Sequence, residues 1–150
     1  IPEMFASETH PREALFTEEF LCITDAGNER VGESLTIEQF FSLGHVGMAF
    51  GQSSNLSIDH LLLQKHGHRR MEVIAPNFTI MPSLVLGTNR IAVMHARLAR
   101  QAAEWLPLRL LPPPIELPGM VELMQWPAHH TNEPGSLWLR ALLRETAREI

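Results

Sequence analysis

The stretch "APNFTIMPSLVLG" (75–87) sets two hydrogen-bonding side chains, Asn77 and Thr79, at the mouth of an otherwise apolar helix. Two kinds of chemistry fit that placement. The side chains can cap the helix by accepting its first N–H groups. Alternatively, the N–H groups at the helix start, together with the Thr79 hydroxyl, can receive a small carboxylate or phenolate. The sequence around the pair leaves both readings open.

Other reactive side chains are less organised. His60, His66 and His68 cluster near one helix end, and His129 and His130 are adjacent. His60 and His66 are six positions apart, so they do not share a helix face, and there is no HExxH or cysteine-pair pattern. A solvated surface accounts for these histidines better than a metal site, and no cofactor is implied. An enzyme is also disfavoured. No G-x-S-x-G elbow occurs, since "NEPGSLW" reads as a helix start. No glycine-rich phosphate loop follows a strand. Cys22, the lone cysteine, sits in an apolar run without a basic sequence neighbour and reads as inert.

The elements that must position these residues follow from periodicity and punctuation. "ALFTEEFLCIT" (14–24) alternates as a strand does. "SLTIEQFFSL" reads as a short helix with Ser34 as its N-cap, and "HVGMAFG" as a short buried strand with glycines. "LSIDHLLLQKHG" is an amphipathic helix capped by Ser57 and stopped by Gly67. "RRMEVIA" is a strand. "TIMPSLVLG" is a helix of one or two turns that tolerates Pro82 early and ends at Gly87. "RIAVM" is a strand, "HARLARQAAEWL" a helix, "PLRLLPPP" and "MVELMQW" strands, and "EPGSLWLRALLRETAREI" a closing helix. Alternating strands and helices with short connections predict an α/β fold with largely parallel strands. In such folds ligands gather beyond the carboxyl ends of strands, which is where "APNFTIM" falls.

The totals narrow the function classes. A chain of 150 residues is long enough for one domain or two small lobes, and 45% hydrophobic residues is ordinary for a globular protein. A formal net charge of -5 argues against this segment gripping nucleic acid through phosphates. No apolar run approaches the roughly 18 residues of a membrane span. The start, "IPEMFASETH", has no signal-peptide character. One buried cysteine and no leader fit the cytoplasm.

Three stretches carry a family resemblance: "LTIEQFFSLGHVGMAFG", "MEVIAPNFTIMPSLVLGTNRIAVMHARLA" and "LPLRLLPPPIELPGMVELMQWPAHHTNEPGSLWLRALL". In order and spacing they resemble the C-terminal effector-binding domain of LysR-type transcriptional regulators, from about Leu15 onward. Within the family the likeness is to the branch of flavonoid-responsive nodulation activators and of regulators responding to salicylate or nitrotoluenes. The resemblance implies a periplasmic-binding-protein-like (type 2) fold of two Rossmann-like lobes, with the first lobe incomplete. Residues 1–30 would end lobe one and cross over, 31–113 would form lobe two, and 114–150 would return and close lobe one with its terminal helix. It also implies that a winged helix-turn-helix, a linker helix and half of lobe one belong before Ile1.

The resemblance further implies a small aromatic effector held between the lobes. Position by position, it would be met by His45, by Asn77, Phe78, Thr79 and Met81, and by Gln125 and Trp126. His45 and Asn77 can donate to a phenol or carbonyl oxygen, while Phe78, Met81 and Trp126 can supply apolar walls. Asn77 stands where some salicylate-responsive members carry histidine, which speaks against salicylate itself. Each residue also has a structural role open to it: a cap for Asn77 or Thr79, a core position for His45 or Met81, packing for Trp126. The expected partners are the effector, a homodimer or homotetramer formed through this domain, and promoter DNA reached only through the N-terminal domain. The helix bearing Arg97 and Arg100 is either a solvated face or part of that pairing surface. Two alternatives stand beside this reading: a solute-binding protein serving transport, and a ligand-independent oligomerisation module in which "APNFTIM" is only a capped helix.

Overall fold

The computed structural model describes residues 1–48 and 67–149. The expected Ser57-capped helix, with His60 and His66, lies outside the described residues. The chain divides into two compact units. Unit one comprises Ile1–Glu18 with Gly119–Ile150, and unit two comprises Glu19–Pro118.

Unit one is built on β1 (Arg12–Glu18) and β7 (Met120–Gln125), which pair antiparallel with Arg12 opposite Gln125 and Glu18 opposite Met120. The closing helix, α4 (Pro134–Arg148), lies against β1. Its Arg144 forms a two-pronged bond to Glu13 on that strand, at 2.5 and 2.8 Å. This bond holds the Glu13 carboxyl below its usual range.

Unit two is a five-stranded sheet in the order β4-β3-β5-β2-β6, where β2 is Phe20–Asp25, β3 Gly44–Met48, β4 Arg70–Ala75, β5 Ile91–His95 and β6 Leu108–Leu111. β3 runs parallel to β4 and β5, whereas β2 runs antiparallel to β5 and β6. The expected largely parallel sheet is therefore mixed. Both arrangements bury the same apolar residues, so the sequence pattern carries no signal for strand direction. The single strand expected over 14–24 is also two strands, interrupted at Glu19, where the units meet in sequence.

The sheet is buried on both faces. Cys22, Ile91 and Val93 pack on one side with Val31, Leu35, Phe40 and Leu111. Their alternates Ile23, Ala92 and Met94 pack on the other with Val46, Met81, Val85 and Ala99. That is the two-residue period of a strand feeding two cores.

The first helix, α1 (Ile37–Ser42), is capped by Thr36 rather than Ser34. The Thr36 hydroxyl accepts from the Gln39 N–H at 3.2 Å, and the Gln39 side chain accepts from the Thr36 N–H at 2.9 Å. Such a reciprocal box needs Glu or Gln three residues after the cap, which Thr36 has and Ser34 lacks. After β4 comes a 3-10 turn, Phe78–Ile80, that runs into α2 (Met81–Val85). Gly87 closes it in the left-handed region at φ +65°. α3 (Ala96–Ala103) follows β5 directly.

Candidate functional site

The carboxyl end of β4 delivers the chain into the polar turn that the sequence singles out. Asn77 is the residue that caps it: its side-chain oxygen accepts from the Ile80 N–H at 3.2 Å. This commits the carboxamide oxygen and leaves the NH2 end of the same group as a donor. Thr79, two positions on, is exposed. Phe78, between them, is half-buried and lies against His95, the last residue of β5. Asn77, Phe78 and Thr79 are thus brought together on one short edge of unit two.

The other expected residues are elsewhere. Met81 is 1% exposed and belongs to the core. His45 is fully buried in β3. Its Nε2–H donates to the Phe40 carbonyl at 2.6 Å, and its ring meets the Phe40 ring edge-on at 4.8 Å. A carbonyl cannot donate, so this bond fixes the tautomer and leaves Nδ1 as the acceptor, 3.5 Å from a guanidinium nitrogen of Arg69. Burial turns His45 toward the core instead of an open edge, because β3 is the strand between β4 and β5 and both its faces are covered.

Gln125 and Trp126 lie in unit one. Gln125 binds the Ser7 backbone twice, accepting from its N–H at 3.1 Å and donating to its carbonyl at 2.7 Å. Trp126 donates from its indole to Thr131 at 3.1 Å, under the Arg140 guanidinium 4.1 Å above the ring. Arg140 is itself buried and donates to the carbonyls of Thr131 and Ser136. Gln125 and Trp126 line a cavity of about 440 Å³ with His10, Leu15 and Leu143.

A second opening, of about 710 Å³, lies in unit two beside the loop 26–33. Arg109 of β6 organises it by donating to the carbonyls of Ala26, Asn28, Val31 and Gly32. The loop's first residues are held by Asp25, whose carboxylate accepts from the N–H groups of Gly27 and Gly87, both at 2.7 Å. Those bonds lower its pKa.

The sequence reading placed His95 at the start of a helix, whereas it ends β5 and its ring meets those of Phe78 and Phe20. A polar residue ending the apolar run "IAVMH", at a strand's carboxyl end, was the available signal for His95. Burial pushes the Cys22 thiol up to about 12. Among the described residues, no group of three or more histidine, cysteine or carboxylate side chains is placed to hold a metal. Nor is any described helix long and apolar enough to cross a membrane.

No family model matches the chain. Over its whole length it is 40% identical, across 151 residues, to nodulation protein D 1 of Bradyrhizobium diazoefficiens. It is 43% identical, across 153 residues, to nodulation protein D 1 of Sinorhizobium fredii. The chain spans about half the length of these relatives, 48% and 47%. Among solved structures, a transcriptional regulator from Vibrio parahaemolyticus superposes with a TM-score of 0.80 at 22% identity, covering 96% of this chain and 68% of that one. HinK, a LysR family transcriptional regulator from Pseudomonas aeruginosa, gives 0.77 at 9% identity, covering 98% and 52%. The effector binding domain of QuiR in complex with shikimate gives 0.74 at 12% identity, covering 97% and 68%. At such identities these superpositions establish the fold, which is that of the LysR-type effector-binding domain.

Proposed function

We propose that the chain is a LysR-type domain of the nodulation protein D kind, the effector-sensing part of a DNA-binding transcriptional regulator. The observation that carries the proposal is the Asn77–Phe78–Thr79 turn. It presents an amide, a phenyl ring and a hydroxyl at the end of a parallel strand, within a sequence that aligns along its whole length with nodulation protein D. A flat aromatic molecule carrying a hydroxyl or carboxylate, such as a flavonoid or aromatic acid, matches those groups. QuiR, which shares the fold, holds shikimate, a small ring acid, in its effector domain. The structures that share the fold include transcriptional regulators, which fits this reading.

Sensing then works by population shift. An effector that binds one arrangement of the domain better than another biases the equilibrium by that difference in affinity, and by nothing else. The response would be transmitted through pairing of subunits to a DNA-binding segment outside these residues. We place the protein in the cytoplasm, where such a regulator meets its promoter. The domain boundaries inferred from the family, at 30/31 and 113/114, remain part of the proposal. So do roles for His45, Met81, Gln125 and Trp126, the first two of which would act from within the core.

One observation favours a different reading. Asn77 is spent on a cap, as a ligand-independent oligomerisation module would have it. A thermal-shift screen of the full-length protein against flavonoids and aromatic acids separates the two, run with Thr79→Val and Asn77→Ser beside the parent. Serine keeps the cap but removes the amide NH2. An effector that raises the parent's melting temperature and not the variants' supports the sensing reading. No shift with any compound favours the structural one, and equal shifts in all three mean that the ligand binds away from this turn.

A further inference from the structure

In unit one, Gln125 and Trp126 tie the first residues of the chain to the end of β7. Gln125 holds the Ser7 backbone at both its N–H and its carbonyl, and the Trp126 backbone N–H donates to the Pro11 carbonyl at 3.2 Å. His10 lies between these two anchors and is exposed. The Trp126 ring is fixed as well. Its indole N–H is given to Thr131, and Arg140 covers one of its faces. The rest of the ring lines the cavity of about 440 Å³ as a rigid aromatic plate. The other walls are apolar. Leu123 and Met124 are buried beneath it, and Leu143 reaches it from α4. Leu15 enters through an irregularity of β1: pairing jumps from Ala14–Leu123 to Phe16–Glu122 and leaves Leu15 without a partner residue on β7. Such a bulge re-aims the extra side chain and recurs beside functional sites.

Three polar side chains line this cavity, and two of them are committed: Gln125 to Ser7 and Trp126 to Thr131. Among the described residues, His10 is the one that brings uncommitted hydrogen-bonding atoms to it. The volume falls within the range of about 300–1,000 Å³ usual for small-molecule pockets, which pair apolar walls with a few placed polar groups. A flat ring stacks well on a fixed indole. Among the described residues no arginine or lysine lines the cavity, so a carboxylate would enter without a guanidinium or ammonium partner, whereas a single hydroxyl needs only the imidazole. We propose that this cavity is a small-molecule site of unit one for a flat, uncharged molecule of one or two rings with one hydroxyl. The ring lies against Trp126 among Leu15, Met124 and Leu143, and the hydroxyl hydrogen-bonds to His10. The Asn77–Thr79 turn belongs to unit two and contributes nothing to this site, so the two readings stand or fall separately.

The test joins crystals of the full-length protein soaked with 4-iodophenol, whose iodine is located by anomalous scattering, to calorimetric titration in solution. The titrations use 4-iodophenol and iodobenzene on the parent, Leu15→Trp, His10→Leu and Thr79→Val. The iodine should lie between Leu15, Trp126 and Leu143. Leu15→Trp, which fills the cavity, should abolish that binding. His10→Leu should bind 4-iodophenol about tenfold more weakly, as loss of one hydrogen bond implies, and iodobenzene unchanged. Iodine found only elsewhere overturns the proposal. So does iodine in the cavity with no binding in solution, which is binding at crystal concentration only. A full-length parent that takes up neither probe overturns it too, because the groove is then filled by the rest of the protein. His10→Leu that binds 4-iodophenol as tightly as the parent overturns the hydroxyl contact and with it the ligand class. Binding lost in Thr79→Val but kept in Leu15→Trp overturns the cavity and leaves the reading of the turn in place. Because the anomalous map needs only the parent, a variant that fails to fold does not rescue the proposal.

Discussion

Asn77 shows how one residue can satisfy two readings. Its oxygen caps the turn, so Asn77→Ala should cost about 1 kcal/mol of stability whether or not a ligand exists. Asn77→Asp, which keeps an accepting oxygen, should restore most of it in urea melts. If alanine proves neutral, the bond to the Ile80 N–H contributes nothing and the residue's reason for being there lies with a ligand. Cys22 makes the opposite point. With the side chain 1% exposed and the thiol held at about 12, almost no thiolate is present at neutral pH. Native protein should resist iodoacetamide until denaturant is added, and mass spectrometry reads that directly. Rapid native labelling would mean that β2 opens far more often than a central strand should. The inertness of Cys22 was visible in its apolar run. The burial of His45 was not, because the Phe40 carbonyl that holds it becomes a partner only once α1 has been placed over β3.

Asp25 ties three elements together: the end of β2, the loop that follows, and the turn that closes α2 at Gly87. Its folded-state pKa lies below the ordinary aspartate value of about 3.9. The stabilisation is therefore complete above about pH 4 and is lost as pH falls through the lower, folded value. Urea midpoints of the parent should decline over that acid range more steeply than those of Asp25→Asn. Parallel declines would assign the acid sensitivity to other carboxylates, Glu13 with Arg144 first among them. At this scale most of the fold could be read from the sequence. Alternation in "ALFTEEFLCIT" and the apolar run in "RIAVM" mark strands, and Gly87 marks a helix end. What could not be read was how strands sit beside one another. Burial on both faces looks the same for a parallel and an antiparallel neighbour, so the reversed β2 left no trace. The candidate edge was half legible for the same reason. Asn77, Phe78 and Thr79 are contiguous, whereas His95 meets Phe78 only because β3 sets β5 one strand away from β4.

The whole molecule is uneven in how it buries its apolar surface. Unit two seals its sheet on both faces, but unit one pairs only two strands with one helix. On α4 the usual polarity is inverted. Arg140 is buried over Trp126 and Arg144 reaches inward to Glu13, while Trp138 is 66% exposed, Leu139 48% and Leu142 43%. The inward arginines are anchored by carbonyls, a carboxylate and an indole, so the helix cannot simply roll its leucines underneath without stranding two charges. An apolar face of this kind on a chain in water favours association. The 150-residue chain by itself should therefore self-associate, with a sedimentation coefficient that falls on dilution. Trp138→Glu with Leu142→Glu should bring it toward monomer at unchanged helix content, since both side chains are exposed. A parent that sediments as monomer at every concentration would mean that the face is too small to pair. In that case the relatives' additional length, about as much again as this chain, is not needed to keep α4 in solution.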